Sequence, residues 1–190
     1  MRTRGGEPEL IRYLGRRTRT TFRVSMVLLF AGAPACGKAK VTVDTSQTCC
    51  QIIADAALKA DRGRVVVNFP GDVNLGSTTV DVLKTGTSEK VGGWFGSGML
   101  EVAPGTYDVK IWNKLVTGVI VQGGHDTQLK VGAIHSKAGG STWADVLDSN
   151  GTKVAGGYGL SVGLPAGTYT AKVGADTEQV VVEAGKATEF

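Results

Sequence analysis

The sequence predicts an all-β protein, two small β-sandwich modules in tandem, preceded by an export leader and one short helix. Three observations carry that reading. Twenty-eight of the 190 residues are glycine, scattered among short Val- and Thr-rich runs, as in many-stranded proteins with frequent tight turns. Apolar residues alternate with a period of two, as in Leu160, Val162 and Leu164, the signature of half-buried strands. The stretch from residue 64 onward also repeats itself. The remaining composition, 42% hydrophobic and 20% charged, excludes a disordered tail and an integral membrane bundle.

The leader explains the charge. Residues 1 to 35 hold seven arginines against two glutamates, a net of +5, so the formal +4 of the whole chain becomes −1 without them. The pI near 9.0 therefore belongs to the leader, and no basic footprint for nucleic acid remains elsewhere. Arg16, Arg17, Arg19 and Arg23 precede an uncharged stretch from Val24 to Ala35, shorter than the roughly 20 residues a spanning helix requires. A basic region, a short apolar region and then small residues is the order of a cleaved signal peptide.

Ala33, Pro34 and Ala35 run directly into Cys36. This boundary resembles the lipobox of bacterial lipoproteins, with Ala33 where leucine is usual, which implies that Cys36 becomes the lipidated first residue. An ordinary signal peptidase reading Ala33-Pro34-Ala35 as A-x-A would cut the same bond. The resemblance implies a protein anchored by lipid in a bacterial outer membrane or at the cell surface, and otherwise periplasmic or secreted.

Residues 36 to 63 read as a tether and a helix. Thr48 stands three residues before Gln51, a capping-box spacing, and Cys49, Ile52, Ile53, Ala56, Ala57 and Ala60 form one apolar stripe that stops near Gly63. The spacing predicts a helix of about twelve residues; a strand through Cys50, Ile52 and Ala54 competes with it. Cys49 and Cys50 are adjacent, leaving two readings open: small core residues, or a strained vicinal bridge. Asp44-Thr45-Ser46-Gln47-Thr48 resembles the start of the metal-ion-dependent adhesion site of von Willebrand factor A domains, which implies a divalent cation held by Asp44, Ser46 and Thr48. Ordinary helix capping accounts for the same residues, and the later ligands of such a domain have no counterpart in the β-rich remainder.

Residues 64 to 130 and 131 to 190 read as two copies of one module. Asp81-Val82-Leu83 recurs as Asp145-Val146-Leu147 at an offset of 64, Lys90-Val91 as Lys153-Val154 at 63, Gly105-Thr106-Tyr107 as Gly167-Thr168-Tyr169 at 62, and Val119-Ile120-Val121 as Val180-Val181-Val182 at 61. Order is kept and each change of offset falls in a turn, so the likeness is duplication. Tyr107 and Tyr169 become equivalent core or corner residues with hydroxyls reaching backbone. The runs Val102 to Asp108 and Leu164 to Thr170 resemble the PEGA, Cna-B and carboxypeptidase-regulatory-like β-sandwich modules of exported bacterial proteins. That resemblance implies spacers, stalks or binding surfaces, and no single activity.

Catalytic chemistry is not marked. His125 and His135 are unshared between the copies, no nucleophile has a base nearby in sequence, and Gly92-Gly93 and Gly156-Gly157 lack the following helix of a phosphate loop. The expectation is a non-catalytic lipoprotein without a cofactor, acting as an envelope scaffold or interaction surface. An alternative is a carbohydrate- or peptide-binding module in which Trp94, Trp112 and Trp143 supply stacking rings, with an envelope protein or glycan as partner. Large aromatics in small sandwiches more often fill the core, but Trp112 and Trp143 have no aromatic counterpart in the other copy.

Overall fold

Valine at every second position sets the strands. Val65 and Val67, Val80 and Val82, and Val119 and Val121 are all buried while the residues between them face outward or are half-buried, as a period of two requires. The computed structural model describes residues 48–71, 75–138 and 140–190, and these contain strands and turns without a helix.

The first half comprises β1 (Cys50–Ala54), β2 (Gly63–Val67), β3 (Thr79–Lys84), β4 (Lys90–Phe95), β5 (Gly98–Val102), β6 (Gly105–Ile111), β7 (Lys114–Val121) and β8 (His125–Leu129). They form two sheets, β1-β8-β2-β5 and β4-β3-β6-β7, around a core of Cys50, Val65, Val102 and Leu129 from one and Val80, Val109, Ile111 and Val119 from the other. The second half comprises β9 (Val131–His135), β10 (Trp143–Leu147), β11 (Lys153–Tyr158), β12 (Ser161–Pro165), β13 (Gly167–Val173), β14 (Asp176–Val182) and β15 (Ala187–Glu189). Its sheets, β12-β9-β15 and β11-β10-β13-β14, enclose Ile134, Val146, Val162, Leu164, Tyr169 and Val180.

Apart from β1, which has no counterpart in the second half, the two halves share one topology. β8 runs parallel to β2 as β15 does to β9, and every other pairing is antiparallel in both. Matching hydrogen bonds fix matching corners. The Tyr107 hydroxyl donates to the Ala103 carbonyl and the Tyr169 hydroxyl to that of Pro165, each at 2.8 Å. Thr127 donates to Ile120 and Thr188 to Val181, each across seven residues. On the outer faces, Lys90 pairs with Asp81 at 2.5 Å and Lys153 with Asp145 at 2.6 Å.

The helix expected over Cys49 to Ala60 is absent, and its first part is strand β1. Cys50 and Ile52 turn inward, at 1% and 2% exposure, opposite Leu129 and Thr127 of β8. The exposed side of β8 would otherwise be an unpaired edge, so cross-strand pairing outweighs the helical stripe. The alanines then fall in turns: the Ala57 amide donates to the Asp55 carboxylate, and the Leu58 amide to the Asp55 carbonyl. Asp55 and Asp126 both engage Arg64 on β2, closing the loop onto the sheet.

Only Lys130 separates β8 from β9, and the halves meet through the outer face of the sheet β12-β9-β15. Gly163, Ala133 and Ala187 lie side by side across its three strands. Phe69, in the loop after β2, covers this row so closely that a Cβ on Gly163 would stand 2.3 Å from its ring. The Thr78 hydroxyl accepts from the Gly163 amide at 3.1 Å in a buried position, and Val131 and Ala133 pack into the first core. In the first module the same row reads Glu101, Arg64 and Asp126, tied by a half-buried Arg64–Asp126 ion pair of 2.7 Å. One fold thus carries a charged row where the Asp55 loop meets it and a small-residue row where a ring does.

Replacing Gly163 by leucine should destabilise the chain by about 1–3 kcal/mol through overpacking, and Phe69→Ala by about 3–5 kcal/mol. Urea unfolding of the double variant should show strong compensation, since the new side chain occupies the vacated space; simple additivity would contradict the packing.

The corner tyrosines differ in burial. Tyr169 is buried in the second core and Tyr107 half-buried; Thr48, Cys49, Lys114 and Leu115 share a cleft with Tyr169. Burial pushes the Tyr169 phenol up to about 12, whereas the unfolded group titrates near about 10. Between these values the folded chain binds more protons, so stability falls as pH rises. The stability advantage of wild type over Tyr169→Phe should shrink between pH 10 and 12 by up to about 2–3 kcal/mol. Denaturant titrations at pH 9 and 12 measure it, and a constant difference would contradict the assignment.

Candidate functional site

The three tryptophans have three different environments. Trp94 lies opposite Val80 on the inward side of β4 and packs against the first core; its indole would collide with a side chain at Gly98. Its Nε1 is buried without a hydrogen-bond partner, so it is a packing residue and presents nothing to a ligand. Trp112 lies in the β6–β7 turn and is half-buried against the core of the second module. Trp143, at the start of β10, is 43% exposed.

Trp112 is the only described non-glycine residue with positive φ, 54°. Its counterpart at the β13–β14 turn is Gly174, with φ 61°. The turn requires the left-handed region, where glycine is unstrained and a side chain costs about 1–2 kcal/mol. The first module accepts that strain because the indole bridges to its neighbour. The Trp112 amide donates to the Thr79 carbonyl at 2.9 Å, holding the turn against the start of β3.

Trp143 is fixed from three sides. Its Nε1 donates to Asp145 at 2.7 Å, Tyr158 meets the ring edge to face with centroids 5.1 Å apart, and Lys153 Nζ stands 5.0 Å from its centroid. Such edge-to-face and cation–π contacts are each worth about 0.5–1.5 kcal/mol. Lys153, and then the indole N–H, hold the Asp145 carboxyl below the usual carboxylate range. Gly156 makes room for the pair, since a Cβ there would lie 2.5 Å from Asp145 Oδ1.

Trp112 and Trp143 come together at the junction. With Thr79 and Asn113 from the first module and Lys153 from the second, they line an open groove of about 500 Å³. A rigid aromatic plane beside hydroxyl, amide and ammonium groups can stack on an apolar face and hydrogen-bond the rim of a ligand. Trp112 and Trp143 are legible in the sequence as unshared aromatics; nothing in the sequence marks Thr79, Asn113 and Lys153, because only the arrangement of the modules brings them to the rings. Tyr158 was legible as the counterpart of Phe95, and its contact with Trp143 follows from the β10–β11 register.

Other candidates lie apart from this groove. His125 Nδ1 is 2.7 Å from the Gly123 carbonyl, a turn contact. His135 Nδ1 and Ser161 Oγ share a 2.5 Å hydrogen bond across the β9–β12 register, a pairing invisible in sequence order. Lys114 reaches Asp148 across the junction at 2.8 Å; that cation, and then the amides of Thr152 and Asn150, hold the Asp148 carboxyl low. Cys49 and Cys50 are not bridged to one another, and burial pushes the Cys50 thiol far up, as for a core residue. Thr48 is exposed in a turn, while Cys36, Asp44 and Ser46 lie outside the described residues. Among the described residues no group of three or more His, Cys, Asp or Glu is arranged to hold a metal ion, and no helix is long and apolar enough to cross a membrane.

No protein-family model matches the chain, and no curated protein does. Among solved structures it is similar to the Bacillus anthracis TIE protein, at 14% identity and a TM-score of 0.29, over 68% of this chain and 33% of that one. The chain therefore spans about a third of that structure's length, and the likeness carries neither fold nor function.

Proposed function

We propose that the protein is a non-catalytic exported lipoprotein, held at the bacterial envelope through Cys36, whose paired sandwiches form a scaffold with an interaction surface. The observation that supports this reading best is the junction: Phe69 over Gly163, the Thr78 contact and the Lys114–Asp148 pair make two marginal modules into one body. A module of about 60 residues buries only about 60% of its unfolded surface, and the junction adds burial that neither copy has alone. The leader supports the anchor, with its basic region, short apolar stretch and small residues ahead of Cys36.

Three acyl chains, at about 0.8 kcal/mol per buried methylene, would anchor the body far more firmly than one. Cys36→Ser should release the protein to the soluble fraction or block its processing. Membrane fractionation and mass spectrometry of the mature N-terminus measure this, and unaltered membrane association with an intact leader would contradict it.

Non-catalytic means that Ser161 is not an activated nucleophile. Its hydrogen bond to His135 lies on a sheet face, and activation also demands donors for a developing oxyanion and a substrate cleft. A fluorophosphonate probe should leave Ser161 unlabelled under conditions that label a serine hydrolase. Stoichiometric labelling lost in His135→Ala would overturn the non-catalytic reading.

A further inference from the structure

We infer that the groove between the modules, built on Trp143 and Trp112, is a binding site for a neutral oligosaccharide. The inference rests on the interaction-surface part of the function proposed above and is independent of how the protein is anchored. It begins with the internal comparison the duplication provides. At the position of Trp143 the first module has Thr79, and at the position of Trp112 the second has Gly174. Each alternative residue serves the same strand start or turn, so the local backbone requires neither indole. Trp112 bridges the modules. Trp143 is 43% exposed, and core packing does not account for it.

The surroundings of Trp143 order it before any ligand arrives. Asp145 orients the indole N–H, Tyr158 abuts the ring, and Lys153 is fixed between Asp145 and the aromatic plane. Ordering in advance removes the entropic cost that weakens binding by mobile side chains. A pyranose ring matches what the groove offers: an apolar C–H face for the indole and a rim of hydroxyls for Thr79, Asn113 and Lys153. Charge selects the neutral class. Lys153 is already neutralised by Asp145 at 2.6 Å, and the groove contains no second cation to hold an anionic ligand.

The test uses the full chain and two soluble probes, a β-1,4-linked glucose tetramer and the corresponding N-acetylglucosamine tetramer, followed by tryptophan fluorescence and calorimetry. At least one tetramer should bind saturably, and Trp143→Ala should weaken it by at least about tenfold, equivalent to about 1.4 kcal/mol. Trp143→Tyr should recover part of the loss, since a smaller ring still stacks. Because Trp143 lies at the surface, these variants should stay folded at the assay temperature, with a melting temperature lowered by the loss of the Asp145, Tyr158 and Lys153 contacts; Lys153→Met supplies a second probe of the rim and should weaken binding without unfolding. Saturation by neither tetramer up to about 10 mM, far weaker than the millimolar affinity worth about 4 kcal/mol, would overturn the inference. Binding unaffected by either substitution would overturn it too, as would binding of an unstructured peptide by the groove in place of both sugars. None of these outcomes bears on release by Cys36→Ser, so the anchored-scaffold reading fails or stands separately.

Discussion

The seating of the Phe69 ring on Gly163, Ala133 and Ala187 is the contact on which the arrangement depends. It buries the outer face of a three-stranded sheet that the second module would otherwise expose, and it brings the Trp112 turn to β10 and β11. Protein interiors have crystal-like density, so a ring fitted against a glycine leaves little freedom to slide or rotate. The groove, the Lys114–Asp148 pair and the cleft beside Tyr169 also bring residues of the two modules together. Loosening the Phe69 contact should disturb all three together.

The two sandwiches have corresponding sheet faces, and each position on them answers to its own surroundings. Arg64, Glu101 and Asp126 suit a face only partly covered, where Asp55 and Asp126 both pair with Arg64. Ala133, Gly163 and Ala187 suit a covered one. The turn at Trp112 and Gly174 diverged in the same way, with backbone strain accepted in the copy whose side chain reaches across.

Much of the architecture was legible in the sequence because it depends on local pattern. Alternating valines, turn glycines and the staggered repeat led to the strands, and Tyr107 and Tyr169 could be matched before any coordinate was known. The segment from Cys49 to Ala60 was misleading for a physical reason: its apolar residues fit a helical stripe, but the decisive partner, the unpaired side of β8, lies more than 70 residues away. The site was half legible. Trp112 and Trp143 stood out as unshared aromatics, while Trp94, equally prominent in composition, belongs to the core. Thr79, Asn113 and Lys153 join the rings only through the module junction, and Gly163 reads as an ordinary strand position alternating with Val162 and Leu164, its Phe69 partner lying far away in sequence.

The central claim is that the two sandwiches behave as one rigid body. Distance distributions between spin labels at the exposed positions Glu89 and Asn150, attached by chemistry that leaves the native cysteines untouched, test it most directly. The account predicts one narrow distribution in the wild-type chain that broadens on Phe69→Ala. A broad distribution in the wild type, unchanged by that substitution, would mean that the modules move independently and that the groove between them is not a formed site.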